Sequence, residues 1–539
     1  MYPPRLSRER RTHPMARGFE THARTVSALT LVSRVSGLAR DAALSRIFGA
    51  GVAMDAFAFA FMVPNLFRRL FGEGALASSF LPIYTRLDAQ RPEVARPLAW
   101  LVLSRTAVML AALTLLGEAI LLAVWPAADR ESATLSATLV AILLPYMPMV
   151  CVVALMGAVL QAHHRFGPTA ASPIILNLAI VVAATVPWAL GDAAAIAPRT
   201  HIMIVAGAVL VAGLVQVAWS ALALRGTGVR PMKAPPEARV PFREVIAKTI
   251  PMTLGLGVLQ VNTFVDGLIA SYPNQFGPTI FGIDFPLDKG SMASMGFAQR
   301  LYEFPLGVFG ISVATAIFPL LARQSGDHEA FMGSLRRGLR LTVFIGLPAS
   351  LGLLLVRDPL AAVVFQGGDF SSADSARVGS ILAGFAIAIW AYSANHVLTR
   401  AFYARGESMT PVKVSMAMVT LNFLLNITLI WTPLNVAGLA WSTGICAIIQ
   451  MVVLERLLAR RLGRVVDSSV RASWLRTLAA TAVMGALTGA AAWWLPDQGS
   501  WSSMAGVLAA LVAIGGATML GAAWALRMPE LRWALGRQS

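Results

Sequence analysis

Apolar residues run in blocks of twenty or more along most of the chain, and polar residues gather in short strips between them. A helix crosses a bilayer with about 20 mostly apolar residues. Runs of that length predict spans near 25–49, 52–83, 98–126, 134–161, 170–191, 201–224 and 245–271. A second set falls near 291–322, 338–356, 378–404, 410–431, 435–458, 473–495 and 502–526. The pattern is weakest in the first, second and eighth, which carry ionisable residues and prolines. Turn chemistry separates the blocks, as in Trp125-Pro126-Ala127-Ala128-Asp129 and Leu495-Pro496-Asp497-Gln498-Gly499. The expectation is an all-α polytopic membrane protein with 14 transmembrane helices.

Composition agrees. Of 539 residues, 57% are apolar and 13% charged, about half the charge of a soluble domain. That excludes several soluble domains, which would lack polar surface, and it excludes a disordered chain. The two cysteines, Cys151 and Cys446, lie in apolar runs and read as small core residues, which excludes a disulfide scaffold.

The net charge of +17 would suggest nucleic acid in a soluble protein, but its placement assigns it to topology. Connections after even-numbered spans and the two tails hold 32 Lys and Arg, and connections after odd-numbered spans hold five. Cytoplasmic loops carry such a surplus, so both termini are expected in the cytoplasm and no nucleic acid is expected as partner. The first 24 residues contain six arginines and no apolar core, which reads as a basic cytoplasmic tail and not a signal peptide.

Two stretches recur. Phe80-Leu81-Pro82-Ile83-Tyr84-Thr85-Arg86 closes the second span, and Ile317-Phe318-Pro319-Leu320-Leu321-Ala322-Arg323 closes the eighth, with Pro82 and Arg86 repeated 237 positions later. The end of the fourth span recurs more loosely at the end of the tenth. An offset of six spans keeps one orientation, so two six-helix lobes would form a parallel pseudo-twofold repeat around a central cavity. The expected organisation is a tail (1–24), an N-terminal lobe (25–224), a linker (225–244), a C-terminal lobe (245–461), and a segment (462–539) with two further helices and the C-terminal tail.

Seven basic residues remain inside spans. Arg46 and Arg105 lie near span ends and are expected to snorkel. Arg34, Arg40, Arg68, Arg69 and Arg300 each cost about 2.5–3.5 kcal/mol at the bilayer centre and should face a cavity or a partner. Asp41 can pair with Arg34, seven residues away on the same helix face, or with Arg40, but one ion pair leaves the other arginine over. Arg68 and Arg69 lie between Pro64-Asn65 and Gly72-Glu73-Gly74, a helix-breaking context in which a solvated face is an alternative for one of them. Arg300 and Glu303, three apart, can pair on their own helix. Surplus buried arginine suits a phosphate or diphosphate, because guanidinium binds phosphate oxygens bidentately. No GxxxxGK[ST], HExxH, CxxC or GxSxG motif is present. His163-His164, with no carboxylate beside them in sequence, read as a solvated turn.

Several motifs carry a family resemblance. Arg34-Val35-Ser36-Gly37-Leu38-Ala39-Arg40-Asp41, Phe48-Gly49-Ala50-Gly51, Asp55-Ala56-Phe57 and Pro64-Asn65-Leu66-Phe67-Arg68-Arg69-Leu70-Phe71 resemble the MurJ/MviN family of bacterial lipid II flippases, as do Glu73-Gly74-Ala75, Arg300-Leu301-Tyr302-Glu303-Phe304-Pro305-Leu306-Gly307 and Thr410-Pro411-Val412-Lys413. The resemblance runs from about residue 25 through the last span. It implies a multidrug/oligosaccharidyl-lipid/polysaccharide exporter fold, with the last two helices forming a groove for a polyprenyl tail. It implies a transporter of the bacterial inner membrane that moves lipid II, an undecaprenyl-diphosphate-linked disaccharide-pentapeptide, to the outer leaflet by alternating access. By motif, the substrate-binding residues would be Arg34, Arg40, Asp41, Asp55, Arg68, Arg69, Arg300 and Glu303. Gln299 stands where some members carry an acid. A monomer is expected, with cell-wall and division proteins as candidate partners.

No cofactor is expected beyond one candidate ion. Asp266 in the seventh span has no basic residue from Lys248 to Lys289 to pair with. Asn422 and Asn426 share a face of the eleventh span, and Thr443 lies on the twelfth. Some family members bind sodium with such a set, although Asn426 takes the place of an acid there. The alternative is an Asp266 hydrogen-bonded to the amides. Two other readings compete on function. A drug or oligosaccharide-lipid exporter of the same superfamily would for cationic drugs need an acidic site. A polyprenyl-phosphate enzyme would need a catalytic cluster, and the outer Ser271–Gly290 loop offers only Asp284, Asp288 and Lys289.

Overall fold

The computed structural model describes residues 14–72, 74–124, 131–189, 196–495 and 499–534. Residues 1–13 of the expected tail, Glu73, the Trp125–Asp129 turn, Pro496–Gln498 and Arg537 lie outside the described residues.

Every predicted span coincides with helix. The first is α1 (Pro14–Phe48), which begins within the expected tail because nothing between Pro14 and Gly49 breaks it. The second is α2 (Val52–Phe67) and α3 (Ala75–Gln90), joined through a π-helical stretch, Arg68–Gly72. Next come α4 (Pro92–Val124), α5 (Glu131–Leu143) and α6 (Tyr146–Ala162), then α7 (Gly167–Ala189), α8 (Pro198–Leu224) and α9 (Arg239–Gln275). An antiparallel hairpin, β1 (Thr279–Ile280) and β2 (Ile283–Asp284), precedes α10 (Ser291–Pro305), a second π-helical stretch (Leu306–Gly310) and α11 (Ile311–Arg323). The chain continues with α12 (His328–Phe365), α13 (Ser372–Ala386), α14 (Ile389–Ala404), α15 (Met409–Leu429), α16 (Ala437–Leu462), α17 (Ser468–Trp494) and α18 (Trp501–Ala525). A short amphipathic helix, α19 (Pro529–Ala534), follows, which the apolar pattern did not reveal.

Among the described residues, ten helical segments are long and apolar enough to cross a membrane. The four segments left out are α1, α2–α3, α9 and α10–α11, the first two of each predicted half. The chain is a multi-pass membrane protein, and the segments outside those ten occupy matching places in the two predicted halves.

The helix interruptions match too. The two π-helical stretches lie 238 positions apart, within one residue of the sequence repeat. Pro64 and Pro305, each without a backbone N–H, precede them, and π-bulges of this kind concentrate at functional sites. The predicted fourth and tenth spans are likewise broken, at Leu144-Pro145 and at Ile387-Ala388.

Packing shows where the halves join. One apolar core mixes Leu44, Phe57, Leu139 and Ile202 with Phe297, Phe365 and Leu382, residues of both halves. A second core, around Phe80, Leu98 and Leu155, also takes in Val245 of α9, and a third, around Phe331, Val397 and Leu454, draws only on α11 and later elements. The halves thus share one core at one end and meet again through α3 and α9 at the other. Helices α17 and α18 pack on α12.

Candidate functional site

Between the halves lies a cavity of about 1620 Å³. Its two sides differ in kind. Helices α1 and α10 and the first π-helical stretch supply Arg34, Arg40, Arg68, Arg69 and Arg300, with Asp41 and Glu303 as the only acids of the lining among the described residues. Helices α12, α17 and α18 supply Phe344, Leu353, Val356, Met484, Leu511 and Met519, with no charge. The five arginines expected to face a cavity all do so.

The arginines are arranged by a few bonds. Arg40 does not reach up its helix. It folds back on its neighbour, with Nε and Nη2 both donating to Asp41 Oδ1 (2.9 and 2.7 Å). The other oxygen of Asp41 faces Arg300 Nε of the second half at 3.3 Å, and Arg300 Nη1 donates to Glu303 Oε2 at 3.3 Å. Asp41 therefore bridges an arginine from each half. It pairs with Arg40 and not with Arg34. The Arg34 guanidinium instead lies over Gly307, where a Cβ would stand 2.7 and 2.8 Å from its terminal nitrogens. A side chain at this position would push the guanidinium aside. Arg68 Nε donates to Asn65 Oδ1 at 3.3 Å, and both Arg68 and Arg69 line the cavity, so neither sits on a separate solvated face.

Asp55 is placed elsewhere. It is buried outside the cavity lining, and its two oxygens accept from the backbone N–H groups of Gly290 (2.6 Å) and Ala293 (2.8 Å) at the start of α10. It caps a helix of the other half, so the structure places this expected substrate-binding residue apart from the arginines. Near it, Arg377 donates to Ser291 Oγ (2.7 Å), and Asp369 N donates to Arg46 O (2.8 Å). The Asp369–Arg46 bond, with the Asp55 contacts, fastens the halves at the end where they share one core.

The residues proposed for sodium do converge. Asn426 Nδ2 donates to Asp266 Oδ1 (2.5 Å) and Asn262 Nδ2 to Asp266 Oδ2 (3.3 Å). Asn422 satisfies more partners with its nitrogen turned to Asp266 (3.1 Å) and its oxygen to the hydroxyls of Ser442 and Thr443. The donor set is all hard oxygen, as sodium prefers. As it stands, however, amide N–H groups already occupy both carboxylate oxygens, and sodium would fit only after those amides turned.

Sequence reasoning missed the amides on the charged side. Asn177 on α7 accepts from Arg40 Nη1 (3.0 Å), and Gln216 on α8 donates to Ser172 O (2.7 Å) while facing the Tyr146 hydroxyl. Asn177 was detectable as a lone amide in the run Ile174-Ile175-Leu176-Asn177-Leu178-Ala179-Ile180. His163 also departs from expectation. Its Nε2 lies 2.8 Å from the Tyr84 hydroxyl and 3.8 Å from Asp88, a carboxylate far off in sequence that the helix ends bring close.

Comparison with known proteins places the chain. The family described as "Lipid II flippase MurJ" matches residues 44–511. A probable lipid II flippase MurJ of Vibrio cholerae is 31% identical, over 92% of this chain and 94% of its own length. A lipid II flippase MurJ of Burkholderia cenocepacia is 30% identical, over 81% and 83%. Among solved structures, lipid II flippase MurJ in an inward closed conformation aligns with a TM-score of 0.73 at 21% identity, covering 92% of this chain and 97% of that one. An inward-facing multidrug resistance MATE family transporter of the MOP superfamily aligns at 0.60 with 15% identity, covering 83% and 96%. The last two establish the fold, and the sequence matches establish kinship. The chain belongs to the MurJ family of lipid II flippases.

Proposed function

We propose that this protein moves lipid II from the inner to the outer leaflet of the bacterial cytoplasmic membrane, as a transporter and not an enzyme. The observation that carries the reading is a single cavity joining an arginine wall to an uncharged trough. A polyprenyl-diphosphate-linked glycopeptide is amphiphilic in the same sense. Its diphosphate would be neutralised by Arg34, Arg40 and Arg300 with Arg68 and Arg69 beside them, and its tail would lie along α12, α17 and α18. Leaving the diphosphate in hydrocarbon would cost far more than the protein charges do.

Alternating access of two six-helix lobes within fourteen spans is part of the same proposal. The matching helix interruptions and the 237-residue sequence offset support it. The shared core and the Asp55 cap lie at the end predicted to be outside, so the arrangement corresponds to a cavity closed outward. Asp41 gives the cycle a plausible trigger. A diphosphate that engages Arg40 and Arg300 competes with the carboxylate that now bridges them, and so couples substrate binding to the contact between halves. One chain encloses the whole cavity, which supports action as a monomer.

Depletion of the protein followed by measurement of lipid II accessible on the outer face tests the function. Accessibility should fall, and an unchanged value in cells with no second flippase would overturn it. Topology is tested by single cysteines. One at Lys233 should label from the cytoplasm and one at Gly282, on the exposed hairpin tip, from outside. Labelling of both from one side would break the fourteen-span assignment.

A further inference from the structure

We infer that Asn177 is a positioning residue that sets the guanidinium of Arg40 for bidentate contact with a phosphate group. This rests on the reading of Arg40 as a diphosphate ligand.

The argument begins with the face of α1 turned to α7. Ser33, Ser36 and Arg40 fall on one stripe at helical spacing, and Asn177 of α7 inserts opposite them. Its side chain is 4% exposed, so each of its polar atoms needs a partner. The nitrogen Nδ2 donates to Ser36 Oγ (2.9 Å) and to Ser33 O (3.3 Å), and Ser36 Oγ itself donates to Ser33 O (3.0 Å). Two acceptors on α1 thus fix which way the amide points. Its oxygen has one direction left, toward Arg40 Nη1 at 3.0 Å.

The guanidinium has five N–H groups. Asp41 Oδ1 takes one on Nε and one on Nη2, and Asn177 takes one on Nη1. Two remain, one on each terminal nitrogen, the number that a bidentate contact with phosphate needs. Asp41 alone would leave the guanidinium free to swing about its side chain. Asn177 supplies the second fixed point, from a different helix, and the plane of the fork is set.

The test measures binding of farnesyl diphosphate to the purified full chain in detergent, with thermal unfolding beside it. Asn177→Ala should weaken binding roughly tenfold, the scale of one hydrogen bond to a charged group. In an Arg40→Ala background the same substitution should change binding by less than about twofold, because the group it positions is gone. Ser36→Ala, which frees the amide to turn, should weaken binding less than Asn177→Ala and add nothing to it. Equal losses in both backgrounds would mean that Asn177 acts through α1–α7 packing, and would overturn the inference, as would unchanged binding in Asn177→Ala. A different failure marks the underlying reading. If Arg40→Ala itself binds farnesyl diphosphate as tightly as the unmodified protein, Arg40 is no diphosphate ligand.

Discussion

The two sides of the cavity solve opposite problems with the same element, a membrane helix. The first side, from α1, α2 and α10, holds charge where charge is expensive and lowers the cost by pairing. Asp41 serves two arginines, Glu303 serves Arg300, and amides of Asn65 and Asn177 serve Arg68 and Arg40. Among the described residues of this wall five arginines stand against two acids, a positive balance that suits a doubly charged ligand. The second side, from α12, α17 and α18, carries no charge and is shaped mainly by size, with the Thr488 hydroxyl its buried polar group. Small residues make its floor: nothing lies within 4 Å of where a Cβ on Gly516 would stand, and Gly515 meets only Thr488 and Met484. One wall selects by hydrogen-bond geometry and the other by volume, so substitutions should separate them.

The largest effect should come from the charged wall. Arg40→Ala or Arg300→Ala removes charge-assisted hydrogen bonds worth about 1.5–3 kcal/mol each, so diphosphate affinity should fall roughly 10- to 100-fold. Lysine keeps the charge and loses the fork. If geometry matters, Arg40→Lys and Arg300→Lys should still lose most transport at normal protein levels. Full transport by both lysine variants would show that this wall acts as a general positive field.

Filling the trough should produce a smaller and selective effect. Gly516→Leu places a branched side chain where a tail would lie. Displacing a few methylenes costs on the order of 1–3 kcal/mol at ~0.8 kcal/mol each. Affinity for an undecaprenyl diphosphate should drop roughly tenfold or more, while affinity for a farnesyl diphosphate, too short to need the whole trough, should hold. Equal losses for both tails would mean that the trough does not read tail length.

Asp55 belongs to neither wall, which makes it a control for the comparison. Asp55→Ala orphans two backbone N–H groups that it now caps, a loss of about 1–3 kcal/mol at the contact between halves. A cysteine introduced on the cavity wall at Ser78 should become more reactive toward an impermeant outside reagent, while farnesyl diphosphate affinity changes less than threefold. Weakened binding without a change in reactivity would return Asp55 to the ligand set.

The contrast between the walls also explains what could be read in advance. Charge inside an apolar run is conspicuous, so Arg34, Arg40, Arg68, Arg69 and Arg300 were identifiable as cavity-facing from the bilayer cost alone. Their partners were not. Arg40 pairs with its immediate neighbour because a long side chain can fold back, which helical periodicity does not encode, and Arg300 reaches Asp41 across 259 positions of sequence. Asp55 bears the same charge as Asp41 and lies in a family motif. Only the position of the α10 N-terminus tells a cap from a ligand. The second wall was legible as two surplus spans, but its trough arises from the packing of α17 and α18 on α12. The cavity's polar groups come from α1, α2, the first π-helical stretch and α10, with amides from α7 and α8.

The smallest effect concerns the polar cluster of the second half. Asp266 sits among Asn262, Asn422 and Asn426 without a cation beside it in sequence, yet three amide N–H groups already reach its oxygens. Hydrogen bonds to the carboxylate leave little for sodium to add. Turning Asn422 to offer oxygen keeps its contacts with Ser442 and Thr443, which then accept from Nδ2 at 3.2 and 3.3 Å, but sets its oxygen against the Asp266 carboxylate. Thermal stability should therefore be equal in sodium and choline chloride at matched ionic strength, within about 1 °C. Asp266→Asn, which trades an acceptor for a donor facing donors, should lower stability by about 1–3 kcal/mol in either salt. A shift specific to sodium that vanishes in Asp266→Asn would show that the amides do turn. It would also give the second half of the molecule an ion-dependent site to set beside the arginines of the first.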